Sequence, residues 1–116
     1  MAKFLDGPAA GVHLMLHRAP IMLRAVLNAA GEWDALDQLG DEPASDEGIY
    51  LYKMVPGTLS SFHLCRSPRK LSGWYQEADY VVFGEKIPDS ILRNHRQWVN
   101  WCDENKNRLT AGYAKG

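Results

Sequence analysis

Cysteine is nearly absent from this 116-residue chain, and the two it has, Cys65 and Cys102, match no zinc, haem or redox spacing. They read as buried or idle thiols, because a disulfide between them would need an oxidising compartment that nothing else in the sequence indicates. Long apolar runs are missing too. Stretches such as Ile21-Met22-Leu23 fall far short of a membrane span. The N-terminal Met1-Ala2-Lys3-Phe4-Leu5-Asp6 has one lysine and no hydrophobic core of a secretory signal, so a cytoplasmic protein is expected. Between Glu32 and Glu47 there is neither lysine nor arginine. Seven carboxylates leave that segment at −7, and the rest of the chain, with all 13 basic residues, at +6. Such segregation makes a polar field across a small molecule and favours one-sided or head-to-tail contacts.

The usual catalytic signatures are also lacking. Asp6-Gly7-Pro8-Ala9-Ala10-Gly11 is glycine-rich, but it has neither the spacing nor the lysine of a phosphate loop and reads as a turn. There is no Gly-x-Ser-x-Gly nucleophile elbow, and Ser60, Ser61 and Cys65 lie near His63 on a strand whose successive residues face opposite ways. No cofactor motif, internal repeat or low-complexity tract is present.

What is present is an ordinary globular composition, 46% apolar and 23% charged, in a length that fits one domain over residues 1–116. The strongest strand signal is Gly73–Gly84, where Trp74, Ala78, Tyr80 and Val82 fall on one side and Tyr75, Glu77, Asp79 and Val81 on the other. Upstream, Val12, Leu14 and Leu16 alternate with His13, Met15 and His17. After the break at Ala19-Pro20, Ile21, Leu23, Ala25 and Leu27 face one way, and Met22, Arg24 and Val26 the other. Trp33 starts a short strand that runs into a turn of helix. Ile49–Val55 is aromatic and β-branched on both faces, as a central strand should be, and Pro56-Gly57 is expected to fold it into a hairpin with Leu59–Arg66.

The C-terminal part reads as one helix from an Asp89 cap, with an apolar stripe at Ile91, His95, Trp98 and Cys102 widened by Leu92 and Val99. Beyond it, residues 103–116 form a polar tail whose composition predicts fraying. The fold class expected is α+β: a curved, mainly antiparallel sheet or partly open barrel of five to six strands with one C-terminal helix packed on it.

Candidate sites are few. The loop containing Arg66, Arg69 and Lys70 places three cations in five residues, with Trp74 and Tyr75 directly after it. Cations hold a nucleic-acid backbone and aromatics stack bases, so these five residues are the candidate binding site. Three charges are few, and an isoelectric point near 6.4 argues against general nucleic-acid affinity. His13 with His17, and His63 with Cys65, share strand faces, but no spacing motif supports a metal there. His95 sits mid-stripe on the helix as a buried, hydrogen-bonded imidazole.

The segments Phe4-Leu5-Asp6-Gly7-Pro8-Ala9-Ala10-Gly11, Arg18-Ala19-Pro20, Trp33-Asp34-Ala35-Leu36-Asp37-Gln38-Leu39, Ile49-Tyr50-Leu51-Tyr52 and Gly73-Trp74-Tyr75 resemble those of small uncharacterised bacterial proteins carried by phages and other mobile elements. The resemblance spans most of the chain and implies a genetic setting but no activity, so no functional residue comes with it. The function expected from the residues is that of a small cytoplasmic, non-catalytic interaction protein that self-associates as a homodimer, with no cofactor and no membrane. The alternatives are nucleic-acid or phosphate binding through loop 66–70, and a small-molecule-binding or hydrolytic barrel with His13, His17 or His63 in its mouth.

Overall fold

The computed structural model describes residues 1–16, 18–28, 30–36, 48–65 and 73–111. Its strands are β1 (Ala2–Phe4), β2 (His13–Leu14), β3 (Met22–Leu27), β4 (Trp33–Ala35), β5 (Gly48–Met54), β6 (His63–Cys65), β7 (Gly73–Tyr75) and β8 (Ala78–Val82). Three helices follow: α1 (Asp89–Leu92), α2 (His95–Glu104) and α3 (Lys106–Thr110). Six strands make one sheet in the order β2-β1-β8-β5-β3-β4, antiparallel throughout except for the parallel pair β1 and β8. The end strands β2 and β4 come into contact, so the sheet curls into a nearly closed barrel of the expected α+β class.

Period-two alternation fills the barrel. Leu23 and Ala25 of β3, Tyr52 and Met54 of β5, Ala78 and Tyr80 of β8, and Phe4 and Leu16 meet in one buried cluster. The alanines at positions 2, 25, 35 and 78 leave room for the rings of Phe4, Tyr52 and Tyr80, the small-against-large packing that a narrow barrel requires. Phe4 meets Tyr52 edge-on at 4.5 Å between ring centroids. Each buried tyrosine satisfies its hydroxyl on backbone. Tyr52 donates to the Asp6 carbonyl and accepts from the Ala9 N–H, both at 2.9 Å, while Tyr80 donates to the Pro20 carbonyl at 2.5 Å. Burial raises the Tyr52 hydroxyl above the ordinary tyrosine pKa. Gly7 closes the turn over this end: its φ is +72°, and a Cβ there would lie 2.2 Å from Val82 Cγ2 and 2.8 Å from the Tyr52 hydroxyl, so any other residue would strain the backbone and displace these side chains.

The outward face of β3 is covered as well. Met22, Trp98 and Leu109 form a second buried cluster with Ile91, Leu92 and Trp101 around it, so the helices lie on the sheet. Instead of the one helix expected there, described residues 89–110 form three. Asn94 takes an extended backbone conformation and its side chain accepts from the Gln97 N–H at 3.0 Å, ending α1 and capping α2. Asp89 makes no cap hydrogen bond; its carboxylate pairs with Arg93 one turn on, at 3.4 Å. Trp98 is buried as the stripe requires, but Val99 is left nearly half exposed.

The chain does not fray at residue 103: α3 carries the fold on through Thr110. Leu109 of α3 is buried, and Arg108 grips the Glu85 carboxylate with both terminal nitrogens, at 2.6 and 3.1 Å. The tail is thus held within the chain as far as Ala111, and residues 112–116 lie outside the described residues. Among the described residues, no helix is long and apolar enough to cross a membrane.

Two strand expectations are corrected. Pro56-Gly57 does form a turn, with Gly57 at φ +84° and the Thr58 N–H donating to the Val55 carbonyl at 3.2 Å. No hairpin between β5 and β6 results, because both edges of β5 are already taken by β3 and β8. The chain instead runs on beside residues 77–79: the Val55 N–H donates to the Asp79 carbonyl and the Ser60 N–H to the Glu77 carbonyl, each at 2.8 Å. The strand expected over Gly73–Gly84 is also two strands, since the chain leaves the barrel sheet at Gln76-Glu77 and, among the described residues, β7 pairs only with β6.

Candidate interaction surface: the β6–β7 arm

Residues 58–65 and 73–77 form an arm joined to the barrel through a knuckle at Ser60, Gln76 and Glu77. The Ser60 hydroxyl oxygen accepts from the Glu77 N–H and donates to the Ser61 carbonyl, both at 2.8 Å. The Gln76 side chain donates to the Ser60 carbonyl at 3.4 Å and accepts from the Ala19 N–H at 3.1 Å, tying arm to barrel. The Met1 ammonium donates to the Gln76 carbonyl. Burial lowers the pKa of that ammonium, and the nearby Glu77 carboxylate opposes the shift.

Beyond the knuckle the arm is a two-stranded ribbon with His63 opposite Tyr75, Leu64 opposite Trp74 and Cys65 opposite Gly73. Its surface is unusually apolar for a projection. Leu59, Phe62 and Leu64 are 47%, 46% and 46% exposed. The run Leu59-Ser60-Ser61-Phe62-His63-Leu64-Cys65 contains no Asp, Glu, Lys, Arg or Pro. Those are the devices by which sheet edges are ordinarily kept from pairing with other chains.

Of the five residues singled out from sequence, Trp74 and Tyr75 fall in β7, where Tyr75 is half-buried; Arg66, Arg69 and Lys70 lie outside the described residues. Most of the acidic segment, from Asp37 to Glu47, lies outside them too, with Glu32 exposed just before β4 and Asp34 exposed within it. His13 is exposed on β2 and His17 lies outside the description. His95 is 3.3 Å from an Arg24 guanidinium nitrogen. Among the described residues no three His, Cys, Asp or Glu side chains gather where they could hold a metal ion.

The largest fully buried side chains of the barrel interior, Tyr52, Tyr80, Phe4, Leu16 and Leu23, fill it. Two open clefts, each of about 440 Å³, lie outside it, one beside β5 and Phe83, the other between β3 and the helices around Val99 and Cys102. Nothing in the alternation of residues 59–65 marks Leu59, Phe62 and Leu64 as surface. The usable signal was the charge-free, proline-free run itself. Compared with protein-family models, curated proteins and solved structures, the chain matches none.

Proposed function

We propose that this chain is a small cytoplasmic, non-catalytic interaction protein that self-associates through the β6–β7 arm. The observation that carries the reading is the exposure of Leu64 in β6, and of Leu59 and Phe62 on the approach to it, outside a barrel whose own interior is already filled. A second copy is the partner this surface fits. The run 59–65 is uncharged, so two copies meet there without like-charge repulsion, and the −7 and +6 segregation of the whole chain favours association of unlike regions. Ion pairs at the rim contribute less than about 1 kcal/mol each, so the apolar patch supplies most of the affinity.

Sedimentation velocity tests this directly. A concentration-dependent dimer that weakens only modestly with salt is expected, and Leu64→Asp is expected to raise its Kd by about 30-fold, or about 2 kcal/mol. A strict monomer at high micromolar concentration in low salt removes the reading.

Nucleic-acid binding is the second reading, favoured by the position of Arg66, Arg69 and Lys70 in the sequence that joins β6 to β7. Three phosphate contacts give a log–log salt slope of roughly −2.7 for duplex DNA, at about −0.9 each. Replacing Arg69 and Lys70 by Ala is expected to flatten it to about a third. Absence of any binding at low salt excludes this mode.

A further inference from the structure

We infer that β6 pairs edge to edge and antiparallel with β6 of a second copy, so that two two-stranded arms become one four-stranded sheet. This rests on the self-association proposed above and specifies its geometry. A two-stranded ribbon is marginal alone in water, whereas additional strands with an apolar face stabilise it. In the described residues β7 is the only strand paired with β6, so the other edge of β6 presents backbone donors and acceptors to no strand. That edge lacks the guard found on the barrel's end strand β4, which carries Asp34: residues 59–65 carry no charge and no proline.

Symmetry then decides the arrangement. A two-fold axis beside His63 sets residues 61–65 against the same residues of the second copy in antiparallel register, puts Phe62 of one copy opposite Leu64 of the other, and closes the assembly at two chains. Charge does not oppose this arrangement, because the uncharged run 59–65 sets no like charges face to face. A parallel alignment would set like ends together and would not close by two-fold symmetry within the sheet.

Hydrogen–deuterium exchange on the full chain, measured below and above the dimer Kd, tests the pairing. Amides of residues 61–65 are expected to exchange at least about tenfold more slowly in the dimer, because pairing protects every second N–H of β6 that does not face β7. A dimer in which these amides exchange at the monomer rate overturns edge pairing and leaves self-association standing; absence of a dimer overturns both. Ser61→Lys supplies the missing edge charge near the axis and is expected to raise the dimer Kd at least tenfold, with the melting temperature of the barrel unchanged. An unchanged Kd in that variant also counts against the pairing.

Discussion

Trp98→Ala is expected to destabilise the fold by about 3–5 kcal/mol, a large share of the roughly 5–15 kcal/mol available to a domain of this size. Trp98 is buried against Met22 and Leu109, stacks on Trp101 with centroids 5.5 Å apart and planes within 7°, and has the Arg24 guanidinium 5.3 Å from its ring centroid. Deleting the indole therefore removes the common neighbour of β3, α2 and α3 at once. Urea denaturation at 25 °C measures the loss, and Trp98→Phe, which keeps part of the ring volume, should lose about half as much. A melting temperature within a few degrees of wild type for Trp98→Ala would show that the helices are not held through this face.

How much of this was legible in the sequence depended on how local the determining interactions were. Period-two patterning placed Leu14, Leu16, Leu23, Ala25, Ala78 and Tyr80 inward, because a buried face imposes alternation whatever the strand order. It could not show that β3 is covered on both faces. An arginine between Leu23 and Ala25 reads as solvent-facing, and only the docking of residues 91–109, far along the chain, buries it. The parallel pairing of β1 with β8 joins residues more than 70 positions apart and leaves no local trace.

Val82 shows the limit of alternation from the other side. It shares the inward phase of Tyr80 but lies at the end of β8, where the barrel opens, and is left exposed. The helix break escaped because the stripe of Ile91, His95, Trp98 and Cys102 continues across it, while the competing signal was the side chain of Asn94, able to cap as well as to sit in a helix. The candidate surface was half legible. The basic loop and the aromatics mark the arm in the sequence, yet the same sequence makes Leu59–Arg66 the second strand of a hairpin with Ile49–Val55, a pairing that the occupied edges of β5 do not allow.

Arg24 gives the second large effect, and a pair of substitutions separates its two roles. The side chain is fully buried between β3 and the helices; Nη1 donates to the Leu92 carbonyl at 2.8 Å and Nη2 lies 3.3 Å from His95 Nδ1. A guanidinium has donors only, so Nδ1 accepts in this contact and the ring proton sits on Nε2. The Leu92 carbonyl ends α1, where the intrahelical partners run out, so the arginine satisfies a group that the break at Asn94 would otherwise strand. Arg24→Ala removes the hydrogen bonds, the cation–π contact and the packed stem together, and is expected to cost about 3–5 kcal/mol. Arg24→Met keeps the stem volume over Trp98 and removes a buried charge, so its cost should be about 1–2 kcal/mol, chiefly the unpaired Leu92 carbonyl. Urea denaturation of both variants reads the difference. Equal losses would assign the role to the hydrogen bonds rather than to the stem, and a loss under about 1 kcal/mol for Arg24→Ala would mean that the arginine does not pin the helices to the sheet.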